Sequence, residues 1–198
     1  QHMSTAGSVA MIAAARGDGL AISAEATPHH MLLTHAECAS FDPVFKVNPP
    51  LRTAEDVDAV LAGVVAGTLD VIATDHAPHT PESKDEPFDQ APPGMLGLEF
   101  ALGVALAVLE LPLSEVLARM SWRPAAVAGL DDAQGGPIEI GRPANLCVID
   151  PTAEWTVEAG ATASRSRNVP YVGRTLRGRV RHTICAGEPD VVDATTQR

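Results

Sequence analysis

The sequence is short of several features that mark whole protein classes. It has only three cysteines, Cys38, Cys147 and Cys185, scattered and without a CxxC pair. That excludes a disulfide framework and reads as the reduced thiols of a cytosolic protein. Positive charge is scarce: 14 Lys and Arg stand against 25 Asp and Glu, for a formal charge of −11. An acidic chain of this kind argues against nucleic acid or an anionic membrane as partner. No apolar run is long enough to span a bilayer, and the first residues lack the pattern of a signal peptide. There is no low-complexity stretch and no internal repeat. What remains is 198 residues, enough for one sizeable core.

The most informative stretch is Leu69-Asp-Val-Ile-Ala-Thr-Asp-His-Ala-Pro-His79. Val71, Ile72 and Ala73 form a short run rich in β-branched residues with no polar face. That suits a strand buried on both sides, as in a parallel sheet covered by helices. The run ends in Asp75, His76 and His79. In (β/α) barrels the chemistry sits where such strands end, and a carboxylate with two imidazoles can bind metal and move protons. The plainer alternative is a helix cap followed by a polar loop.

The surroundings repeat the pattern. Ser4 or Thr5 can cap a helix with Val9, Ile12 and Ala13 on its apolar side, ended by Gly17 and Gly19. Leu20 to Ala26 then reads as a strand leading into Glu25-Ala-Thr-Pro-His-His30. His2 falls where a strand before the first helix would end, although His-Met at a chain start can also be a cloning remnant. The loop from Phe41 to Arg52 is stiffened by Pro49 and Pro50, so Asn48 either caps backbone or is presented to a ligand. Thr53 begins a helix with Glu55 and Asp56 in its first turn and a stripe of Val57, Val60, Leu61 and Val64. Strands and helices alternating with short joints indicate a βαβ arrangement.

Thr80 to Gly94 reads as a long polar loop, either solvated surface or a flexible lid. Met95 to Leu109 is expected to be a buried helix. Leu113, Val116, Leu117 and Met120 mark another, and Pro124 starts a short one. From Gly135 the texture changes to turn, short strand, turn and strand up to Asp150. Further strands are expected at Trp155 to Glu158 and Arg177 to Ala186. Residues 1–134 therefore form an α/β unit and 135–198 a small β module. The tail arginines, at 165, 167, 174, 177, 179 and 181, either contact the acidic body or a partner or, as ordinary strands would have it, are simply solvated.

Four segments, taken together, resemble the bacterial dihydroorotases of the amidohydrolase superfamily. They are His2-Met-Ser-Thr-Ala-Gly-Ser8, Glu25-Ala-Thr-Pro-His-His-Met-Leu-Leu-Thr34, Phe45-Lys-Val-Asn-Pro-Pro-Leu-Arg52 and Ala73-Thr-Asp-His-Ala-Pro-His79. Gly136 to Asp150 is similar to the signature that returns such chains to their β-sandwich, with Asn145 in place of the usual Asp. The resemblance implies the C-terminal part of a (β/α)8 metal-dependent hydrolase barrel over 1–134 and part of a β-sandwich over 135–198. It also implies that the N-terminal half, with a His-x-His and a bridging Asp or carboxylated Lys, belongs to another segment. Half a barrel leaves an open sheet edge, so the isolated piece is expected to be unstable and inactive.

The same resemblance implies the chemistry. Dihydroorotases interconvert dihydroorotate and N-carbamoyl-aspartate with one or two zinc ions, which activate water and polarise a carbonyl. His2 and Asp75 match metal ligands, and Asp75 matches the general base that later acts as acid. Asn48, His79, Pro93 and Gly94 match substrate-binding positions, though Pro93 stands where the family's loop varies. His29, His30 and His76 fall to supporting or packing roles. A homodimer and aspartate transcarbamoylase are candidate partners. Two alternatives stay open: another cyclic amidohydrolase (hydantoinase, dihydropyrimidinase or allantoinase), or a metal-free relative that scaffolds aspartate transcarbamoylase.

Overall fold

A computed structural model describes residues 1–197. Helix α1 (Ala6–Gly17) starts at a capping box, in which the Thr5 hydroxyl accepts the Ser8 N–H and the Ser8 hydroxyl accepts the Thr5 N–H. Val9 and Ile12 pack on the core. Ala13, expected beside them, is exposed, because it lies about 100° round the helix from Ile12.

Strands β1 (Glu25–Ala26) and β2 (Val71–Ile72) pair in parallel, Glu25 opposite Val71 and Ala26 opposite Ile72. Helix α2 (Ala54–Val65) connects them, capped by Thr53 and burying Val57, Val60 and Val64 as its spacing predicts. The expected strand over 20–26 shrinks to two residues because side chains satisfy the backbone before it. Asp70 accepts the Ala24 N–H, and Arg16, ion-paired with Asp70, donates to the Ile22 carbonyl. Residues 1–3 lie against the other side of β1, where Met3 N–H donates to the Glu25 carbonyl at 2.9 Å. Three neighbouring segments thus end at the same level.

The loop after β2 holds a single short helix, α3 (Pro81–Lys84). It is tied down rather than loose. Lys84 Nζ donates to the carbonyls of Pro43 and Pro92, and Lys46 Nζ to that of Asp89. Burial, with Lys46 nearby, pushes the Lys84 amine down to about 8.

The expected helix from Met95 begins later, as α4 (Ala101–Val108). Residue 97 has to be glycine: a Cβ there would lie 2.3 Å from the Thr74 carbonyl oxygen. His76 Nδ1 accepts the N–H groups of Gly97 and Leu98, so this stretch is spent on contact with the β2 end before helix can form. Helix α5 (Leu113–Met120) follows, then α6 (Trp122–Val127), which starts ahead of Pro124. Buried Arg119 links α5 to the C-terminal end of α2 by donating to the Val64 carbonyl, while Glu115 pairs with it at 2.7 Å.

The remaining strands, β3 (Leu146–Thr156), β4 (Thr175–Cys185), β5 (Glu188–Val192) and β6 (Thr195–Thr196), form one antiparallel sheet in sequence order. The short strand expected near 137–140 is absent. Ile138 and Ile140 are 87% and 107% exposed, with no strand among the described residues paired to them. Helix α4 packs on β4 where glycines allow close approach, since a Cβ on Gly178 would meet Leu106 at 2.3 Å. A second core cluster joins both parts of the chain: Met95, Leu96 and Phe100 pack with Val157, Val169, Tyr171 and Leu176.

Candidate active site

Parallel segments project their ends the same way, and here that gathers His2, Glu25 and Asp75. His2 Nε2 lies 3.6 Å from Asp75 Oδ1, and His2 Nδ1 lies 2.8 Å from Glu25 Oε1. Asp75 Oδ2 is 3.8 Å from Nε2 of His29, a fully buried residue whose two ring nitrogens have no hydrogen-bond partner among the described residues. One carboxylate therefore faces two imidazoles. His2 and Asp75 both hold left-handed backbone, with φ of 54° and 44°. For residues with a Cβ this conformation carries strain of the kind that persists at functional sites.

Burial raises the Asp75 carboxyl above its ordinary range; His2 opposes the shift and Glu25 adds to it. Burial also pushes His29 well below the usual imidazole value, with His30 and His2 contributing. Imidazole nitrogen and carboxylate oxygen are both donor types that zinc accepts. Among the described residues, no cluster of three or more His, Cys, Asp or Glu side chains is placed to enclose a metal ion. His2 and Asp75 are thus two donors toward such a site, not a complete set.

A second group lies along the loops. His79 Nε2 donates to the Pro93 carbonyl at 3.0 Å. Gly94 sits against the same ring with φ of 140°, and a Cβ on it would come within 2.6 Å of His79 Nε2. Its N–H donates to the Lys46 carbonyl at 2.8 Å. His79, Pro93 and Gly94 are therefore brought together. Asn48 is exposed, follows from the same loop by a cis bond to Pro49, and has no hydrogen-bonded partner among the described residues. A cavity of about 380 Å³ is bounded by His79, Phe45, Lys84 and Asn168, but not by His2 or Asp75.

Residues 4–189 match the amidohydrolase family, a stretch that begins just after His2. The chain belongs to the amidohydrolase family. It is 46% identical over 196 residues to a dihydroorotase of Streptomyces coelicolor, covering 97% of this chain and 46% of that protein. Over 191 residues it is 46% identical to a dihydroorotase of Mycobacterium tuberculosis, covering 94% and 44%. Among solved structures it resembles a D-hydantoinase (dihydropyrimidinase) from Thermus sp., with a TM-score of 0.90 at 22% identity over 98% of this chain and 44% of that one. An L-hydantoinase from Arthrobacter aurescens gives the same TM-score at 25% identity, covering 100% and 45%. The chain spans a little under half the length of these relatives.

Three residues of this amidohydrolase that sequence reading left out, or left without a definite place, hold the site in shape. Glu25 contacts His2 from the adjacent strand; an acidic residue at a strand end was the available signal. His30 Nε2 donates to the Pro49 carbonyl at 2.9 Å, which leaves Nδ1 to accept the Thr27 hydroxyl at 2.8 Å. It thereby anchors the Asn48 loop, and burial brings its pKa down to about 4. Asn168 lies in the basic loop before β4, where nothing local distinguishes it, yet it is buried beside His79.

Proposed function

We propose that the complete protein is a dihydroorotase, reversibly opening the cyclic amide of (S)-dihydroorotate to N-carbamoyl-L-aspartate in pyrimidine biosynthesis. The observation that carries this reading is the convergence of His2 and Asp75, 3.6 Å apart, on a chain close in sequence to curated dihydroorotases. The hydantoinase likeness supports the shared fold alone. Residues 1–134 are assigned to the C-terminal part of a (β/α)8 barrel and 135–198 to part of a β-sandwich. The rest of the barrel comes from a segment outside this chain.

His2 and Asp75 would hold zinc together with ligands from that segment; a bound zinc ion supplies water activation and carbonyl polarisation. Asp75 takes the proton of the attacking water and returns it to the ring nitrogen as the amide C–N bond breaks. A carboxylate that faces the imidazoles of both His2 and His29 is placed for this two-way role. His79, its ring held by the Pro93 carbonyl, is placed to pair with the substrate carboxylate. Gly94 and Pro93 line the ring, and Asn48 offers it an amide donor and acceptor.

Assaying the complete protein against dihydroorotate and an uncharged hydantoin tests the reading, alongside metal analysis. Hydrolysis of dihydroorotate by a zinc-containing protein is expected. Preference for the hydantoin would overturn the substrate assignment.

A further inference from the structure

We infer that Asn168 is a positioning residue that sets His79 and Gly94 for substrate; this rests on the reading of His79 as a substrate-binding group. Asn168 is 5% exposed. Its amide nitrogen donates to the carbonyls of Ala77 at 2.9 Å and Gly94 at 3.1 Å. Its amide oxygen accepts the His79 N–H at 3.3 Å. Its backbone carbonyl accepts the Leu96 N–H at 3.0 Å. One side chain thus joins the strand-end loop, the glycine turn and the tail.

The partners dictate the residue type. Two carbonyls need two hydrogens, and the His79 N–H needs an acceptor; a primary amide supplies both from one planar group. Aspartate would turn an oxygen toward two carbonyls and lose both donors. Glutamine adds a methylene where the space is closed. The consequence reaches the His79 ring because that ring is held from both ends. Asn168 fixes its main chain, Pro93 takes its Nε2–H, and Gly94 packs so closely that no Cβ fits between. A shift of the Ala77–Gly94 contact moves the imidazole with it. Val169 and Tyr171, both buried in the second core cluster, keep Asn168 itself in place.

The test uses the complete protein and five variants: Asn168→Asp, Asn168→Ser, His79→Ala, and His79→Ala combined with each Asn168 change. Asn168→Ser is read where Asn168→Asp does not fold. We expect the Asn168 variants to raise KM for dihydroorotate about tenfold while kcat stays within about threefold. On the His79→Ala background the same changes should raise KM no more than about twofold further, because residues acting through one another are non-additive. Full multiplication of the two effects, or a loss confined to kcat, overturns the proposal. A raised KM in His79→Ala with an unchanged KM in both Asn168 variants overturns it alone. An unchanged KM in His79→Ala overturns the reading of His79, and this proposal with it.

Discussion

Asp75 turns its carboxylate toward His2, with Oδ1 3.6 Å from Nε2, although each residue must hold left-handed backbone to do so. The contact joins the ends of two segments far apart in the chain. The role proposed for Asp75 as proton carrier rests on this contact.

Asp75→Ala in the complete protein should therefore lower turnover by more than a hundredfold. Steady-state rates with the metal content measured in parallel check this. Activity above a hundredth of wild type would remove the acid–base assignment.

Gly94→Ala should raise KM and lower stability by roughly 1–3 kcal/mol. The added methyl would meet His79 Nε2 and the Ala77 Cβ, at 2.6 and 2.7 Å, from a backbone with φ of 140°. Denaturant midpoints and Michaelis constants measure the two effects. A variant as stable and as tight as wild type would mean that the loop relaxes freely.

The buried histidines predict acid sensitivity. His30 is held near a pKa of about 4 against an ordinary 6.5. Between those values the unfolded chain binds a proton that the folded chain refuses. Stability thus falls as pH drops from 6.5 toward 4, by up to about 3 kcal/mol for this group. His29 acts in the same direction. Chemical denaturation at several pH values should show the slope, and His30→Gln should flatten it. Equal slopes in both proteins would assign the acid sensitivity elsewhere.

The 198-residue chain by itself should not turn over dihydroorotate. Adding the complementary segment in trans should restore a zinc-dependent rate. Substantial activity of the isolated chain, with metal bound, would contradict the need for outside ligands.

Much of the fold was legible because local rules and tertiary packing agree there. The Thr53 cap, the stripe of Val57, Val60 and Val64, and the buried Val71–Ile72 run all follow from periodicity. The disagreements have physical causes. Helix α4 starts at Ala101 because Gly97 is pressed against Thr74 and capped by His76, contacts that no local pattern encodes. Ile138 and Ile140 have strand-like spacing but no partner, and spacing without a partner makes no strand. Of the site, His2 and Asp75 could be read from strand ends. Asn168 could not, because its partners are Ala77, His79 and Gly94, all distant in sequence.

The shared packing of Phe100 with Tyr171, ring centres 5.5 Å apart, has a bearing on how this protein can be cut or recombined. A chimera that exchanged the tail for another sheet would remove the wall against which the His79 and Gly94 loops rest. The tail is better treated as an inherited part of the α/β unit it packs on than as an exchangeable module.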